Sequence, residues 1–108
     1  MSEQRYQGWE NWETWVVSLW LNNISLEVQK EAQHIVCSNE YEYHHQMIDA
    51  LEEYVGDLVD AGTITDRFSN HRVNWYEVAE GQIIEPGYRE GYDEDHIKAL
   101  EQWLEEMK

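Results

Sequence analysis

Carboxylates are the side chains present here in enough number and regularity to do something. The 108-residue chain carries 23 Asp+Glu against 7 Lys+Arg, a formal net charge of −16. Between Lys30 and Arg67 there is no Lys or Arg, while nine acids fall in that interval. Asp49, Glu53 and Asp57 stand at i, i+4 and i+8, with Glu52 and Asp60 beside them. On a helix, like charges at that spacing repel one another and cost stability. Successive carboxylates in such a row rise about 6 Å along the axis, on the scale of neighbouring backbone phosphates. A rigid row of this kind can present itself to a DNA-binding cleft as a substitute polyanion. The plainer reading is a solvated face on an acidic protein, kept for solubility. Glu101, Glu105 and Glu106 form a second acidic patch near the C-terminus.

Other chemistry finds little support. His34 and Cys37 are spaced i, i+3, His44 and His45 are adjacent, and His71 and His96 are isolated. None of these is the paired spacing of a structural zinc site. The phosphate-binding glycine motifs, the zinc-protease motif and the nucleophile-elbow motif are all missing. Acid pairs such as Glu52-Glu53 are inevitable in so acidic a chain and carry no hydrolase signal. The reading therefore assigns no catalytic residue, no cofactor and no metal ligand, and the protein is expected not to be an enzyme. His44 falls toward the apolar side of its helix and is expected to be a half-buried packing residue.

The charge also excludes partners. A chain at −16 repels DNA, RNA and anionic membranes, so direct nucleic-acid or membrane binding is disfavoured. Basic protein surfaces remain. A single cysteine, Cys37, cannot form an internal disulfide, which suits a reducing compartment. The start, "MSEQRYQGW", lacks the apolar core of a signal peptide. No apolar run reaches the length of a membrane span. A cytoplasmic location is expected.

The elements that must position these groups read as helices of one domain spanning residues 1–108. Hydrophobic content of 42% and aromatic content of 13% argue against disorder. Asn11 caps a first helix running to about Leu21, and Ser25 caps a second with Leu26, Val28, Ala32, Ile35 and Val36 on its apolar side. The third, from about Tyr41 to Ala61, turns Met47, Ile48, Leu51, Tyr54, Val55 and Leu58 to one side and the acids to the other. Gly62 follows as its C′ residue. Residues 63–72 read as a loop or a short helical turn. Asn74 then caps a short helix, Ile83 and Ile84 suggest a short extended piece, and Asp93 caps the last helix. The expected fold class is all-α, a single compact domain of four to five short helices with a Trp-rich core.

That core expectation rests on "GWENWETWVVSLWLNN". Four of the six tryptophans, Trp9, Trp12, Trp15 and Trp20, lie in this stretch. Trp12, Trp15, Val16, Leu19 and Trp20 keep helical spacing, so they are expected to form the buried spine. Trp9 lies before the cap. It either staples the helix entry or, with Tyr6, stays open as a partner contact.

The same stretch, together with "RVNWYEVAEG", resembles a group of small proteins carried by phages, plasmids and some bacterial genomes. Their pattern is roughly N-x-E-T-W-x-V-x-L-W-L-x-N, then V-N-W-x-E-I-A. Here it is met by Asn11, Glu13, Thr14, Trp15, Val17, Leu19, Trp20, Leu21 and Asn23, then Val73, Asn74, Trp75, Glu77, Val78 and Ala79. Asn11 and Asn74 are expected to cap two helices whose Trp15 and Trp75 meet, with Glu13 and Glu77 accepting indole N–H bonds or holding caps. In that group the second motif lies near the C-terminus, so the acidic helix after it reads as an addition peculiar to this chain. The resemblance implies mobile-element origin. Many small acidic phage proteins without catalytic motifs inhibit host defence. The first expectation is therefore a phage-encoded inhibitor of anti-CRISPR or anti-restriction type. It would act as a DNA mimic on a basic nucleic-acid-binding protein or complex of the host. The partner-binding residues would be Asp49, Glu52, Glu53, Asp57, Asp60, Glu101, Glu105, Glu106 and Trp9. The alternatives are an adaptor using an aromatic surface patch, or a cation-binding protein.

Overall fold

The computed structural model describes residues 7–107. Five α-helices carry the fold: α1 (Trp12–Asn23), α2 (Leu26–Cys37), α3 (His44–Asp60), α4 (Trp75–Gly81) and α5 (Glu94–Met107). Two single 3-10 turns, Asn70–Arg72 and Pro86–Tyr88, flank α4. No strand occurs among the described residues, and Ile83 and Ile84 lie in irregular backbone. The fold is a small all-α domain.

Side-chain caps begin these helices where the sequence places them. The Thr14 N–H donates to Asn11 Oδ1 at 2.9 Å, Val28 N–H to Ser25 Oγ at 3.1 Å, and Glu77 N–H to Asn74 Oδ1 at 3.1 Å. Asp93 Oδ1 takes the N–H groups of Asp95 and His96. Each bond satisfies a donor that the helix itself leaves orphaned. The start of α3 differs from expectation by three residues. Gln46 reaches back to accept the Tyr43 N–H at 2.9 Å, which makes Tyr43 the cap and leaves Tyr41 outside the helix. Its end is a Schellman turn. Gly62 takes φ +79°, Thr63 N–H returns to Leu58 O, and Gly62 N–H returns to Val59 O.

Consecutive helices pack, α1 on α2 and α2 on α3, while the short α4 touches α1, α3 and α5. The seven-residue α4 is therefore the hub, with Val78 and Ala79 wholly buried. The centre is aliphatic. Val17, Leu21, Ala32, Val36, Leu51, Val55, Ile97, Leu100 and Leu104 are all essentially inaccessible. Cys37 belongs to this core, and burial pushes its thiol up from the ordinary range.

The tryptophan spine expected for α1 is on the wrong side. The helix buries Thr14, Val17, Ser18 and Leu21, with Val16. At about 100° per residue the face of Thr14, Val17, Ser18 and Leu21 lies nearly opposite Trp12, Trp15 and Leu19, and of the expected spine Val16 alone is fully buried. Trp12 is 37% exposed and Leu19 42%. Trp15 and Trp20 only edge the core. Of the six indoles Trp75 alone is buried. The physical reason is that α1 is apolar on both faces, so periodicity cannot choose between them. The side carrying the small Thr14 and Ser18 is the one that is buried, and Thr14 Oγ1 accepts the Asn74 N–H at 2.9 Å across the joint to α4.

Candidate functional site

On α3, the helix face opposite Met47, Ile48, Leu51 and Val55 presents the acids. Asp49, Glu52, Glu53, Asp57 and Asp60 line one shallow, open groove of about 390 Å³ together with Asn70. Gly56, mid-helix and without a side chain, forms part of the groove wall. The structure thus brings together all five carboxylates expected on this helix. Among the described residues none of the five is ion-paired. The nearby arginine, Arg72, is engaged elsewhere, its Nε donating to Glu13 Oε2 at 3.0 Å. The like charges at i, i+4 and i+8 therefore stand without an ion pair of their own, a cost that an ordinary surface relieves with an interspersed lysine.

The second acidic patch is divided. Glu101 faces the guanidinium of Arg89, with 3.5 Å between Oε2 and a terminal nitrogen, and Glu94 takes the other terminal nitrogen. Arg89 Nε donates to Ile84 O at 2.7 Å. The Arg89 side chain is only 8% exposed, against 46% for either glutamate. Glu101 is thus tied into an ion-pair cluster that fixes the 86–92 loop onto α5. Glu105 lines a groove of about 550 Å³ with Glu80, Glu85 and Glu101, while Glu106 lies outside it.

Trp9 is not an open contact. Its ring edge lies 3.0 Å from where a Cβ on Gly81 would stand, so it folds over the end of α4. Tyr6 lies outside the described residues. On α1 the exposed apolar surface is Trp12 and Leu19, with half-buried Trp15 between them in spacing; elsewhere Tyr43 and Tyr88 are exposed aromatic rings. Sequence reasoning missed the α1 surface because the same residues had been assigned to the core.

The paired motifs turn out to be one joint. Asn11 caps α1 and sends its Nδ2 to Arg72 O at 2.7 Å. Asn74 caps α4 and sends its Nδ2 to Glu10 Oε1 at 2.8 Å. Buried Glu77 accepts the Glu10 N–H at 2.8 Å, and Thr14 bridges Asn11 Oδ1 and Asn74 N–H. Glu13 pairs with Arg72, Glu77 takes the Glu10 N–H, and the indole of Trp75 donates to Asn70 O at 3.2 Å. The polar groups of the two motifs are thus spent on one another across the joint.

A ring cluster joins α3 to α5. His44 sits 5.2 Å from Trp103 and 5.6 Å from His96, and Tyr76 meets Trp103 edge-on at 5.6 Å. Half-buried His44 is the packing residue expected. Burial, and then neighbouring His96, lower its affinity for a proton. Among the described residues no group of three or more His, Cys, Asp or Glu converges as a metal site. No helix among them is long and apolar enough to cross a membrane.

Fold and surface together define a small acidic all-α domain with a polar inter-helix joint and an uncompensated carboxylate face. The chain belongs to a family of unknown function (DUF7249), whose sequence profile matches residues 2–98. The match continues past the second motif to the first residues of α5. No curated protein and no solved structure matches it.

Proposed function

We propose that this protein is an interaction protein of phage or plasmid origin that inhibits a host defence complex of the CRISPR or restriction type. Its α3 carboxylates occupy a basic nucleic-acid-binding site there, inside the bacterial cell. The observation that carries this reading is the groove of Asp49, Glu52, Glu53, Asp57 and Asp60, in which no acid has a cationic partner among the described residues. A protein that leaves i, i+4 repulsion standing on a rigid helix loses some stability, and a basic partner recovers it. Glu105 and Glu106 extend the acidic surface on α5; Glu101 is held back by Arg89.

The test is retention of purified restriction and CRISPR effector complexes on the immobilised protein. Duplex DNA serves as competitor. Binding should weaken steeply from low to high salt, yield to DNA, and vanish when Asp49, Glu53 and Asp57 are all changed to Lys in a chain that stays helical. Binding indifferent to both salt and the triple change would sink the mimic.

One observation favours a second reading, an adaptor with aromatic anchors. Trp12 and Leu19 are exposed opposite the buried face of α1. Trp12 is of the residue type that dominates many interfaces, and Leu19 adds apolar area beside it. This reading predicts binding that salt hardly touches and that Trp12→Ala or Leu19→Ala weakens, with the α3 reversals silent.

A further inference from the structure

An open cavity of about 350 Å³ lies where α3 begins, lined by Tyr41, Glu42, Tyr43, His44, His96 and Trp103. It shares no residue with the acidic groove. One wall is held in place: Trp103 is braced edge-on by Tyr76, and His44 rests on both Trp103 and His96. The other is open, exposed Tyr43 stacking on His45 with centroids 5.7 Å apart and planes 10° from parallel. Glu42 adds a carboxylate.

These groups have one chemistry in common. Ring faces are the negative pole of the aromatic quadrupole. A neutral imidazole offers a lone pair, and a carboxylate only accepts. Because His44 resists protonation, it adds no positive charge at neutral pH. The ligand that matches is planar, cationic and donor-only. Guanidinium fits: it stacks on aromatic faces and carries N–H donors in its plane but no acceptor. A lysine ammonium has the charge without the plane.

We propose that this cavity is an arginine-binding site, taking the guanidinium group of a partner's side chain between Tyr43 and the His44–His96–Trp103 wall, with Glu42 as counter-charge. The site stands independently of the α3 reading, since it uses other residues and its test uses a free small cation.

The experiment is an NMR titration of the full chain with L-arginine amide. It follows the ring C–H signals of His44 and His96 and the indole N–H of Trp103. L-citrulline amide, isosteric without the guanidinium charge, and L-lysine amide are the controls. Saturable shifts are expected with arginine amide, with affinity about tenfold lower for citrulline amide, the scale of one cation–π contact. Tyr43→Leu should weaken arginine amide at least about fivefold. The Tyr43 side chain is exposed and its cap bond uses only the backbone N–H, so that variant keeps the fold. Glu42→Gln should weaken it less. Absence of saturable shifts, or equal affinity for lysine amide with no loss in Tyr43→Leu, overturns the proposal and leaves only diffuse attraction to an acidic chain.

Discussion

On α3, Asp49, Glu53 and Asp57 follow one another with no ion pair among the described residues. On α5, Glu94 and Glu101, at i and i+7, close on the guanidinium of Arg89. The side chains are alike and both rows are exposed. What differs is what the chain brings to face them. The 86–92 segment, turned into α5 through Gly91 at φ +90°, delivers Arg89 to the α5 acids. The segment after α3 brings neutral Asn70 to its groove and Arg72 beside Asp49 and Glu52, but Arg72 pairs with Glu13. Acidic sequence therefore means two different things in one small domain, a clamp on α5 and an unspent surface on α3.

Four experiments would break or sharpen that contrast. The largest effect belongs to the clamp. Arg89→Ala removes a buried cation, its bond to Ile84 O and both ion pairs, and should cost about 2–3 kcal/mol in urea unfolding. The figure sits at the lower edge for a broken buried pair because the two half-exposed glutamates can rehydrate. Glu101→Gln keeps the Glu94 contact and should cost about 1 kcal/mol by the same measurement. On α3 the sign reverses. Glu53→Lys converts the pairs with Asp49 and Asp57 from repulsive to attractive and should stabilise by about 0.5 kcal/mol. Added salt should raise the wild-type midpoint and narrow the difference from the variant. If Glu53→Lys destabilised the domain, the α3 row would have hidden structural partners and the contrast would be lost.

The smallest effect tests the foot of α3. His44 has its folded pKa lowered by burial and then by His96, so the unfolded chain takes the proton first. Its contribution to stability is complete above the unfolded value near 6.5 and is lost as pH falls through that value toward the lower folded one. Wild type should therefore lose more stability than His44→Phe between neutral and mildly acidic pH, in thermal melts at matched ionic strength. Equal losses would show that the ring cluster is indifferent to charge.

Much of this was legible in the sequence. The caps Asn11, Ser25, Asn74 and Asp93 were, because a side-chain oxygen reaching an orphan N–H two or three residues on is a local event. The α3 faces were, because only one side of that helix is apolar and period then decides burial. The buried side of α1 was not. With apolar residues all round, both faces satisfy the periodicity, and the choice waits on which neighbours arrive and how closely small residues let them pack. Nor was the division of the α5 acids, since Arg89 sits five residues before Glu94 on a loop whose course no local rule sets.

The sequence by itself determined the helices, the caps of α1, α2, α4 and α5, the net charge and the absence of Lys and Arg between Lys30 and Arg67. These follow from composition and from contacts a few residues long. Only the tertiary structure decided that the tryptophans of α1 edge the core instead of filling it, that the two motifs lock into one polar joint, and that Arg89 neutralises one acidic patch and leaves the other. Each of those outcomes joins residues distant along the chain or chooses between faces equal in local pattern. Such choices are made by packing, in which all five helices settle together.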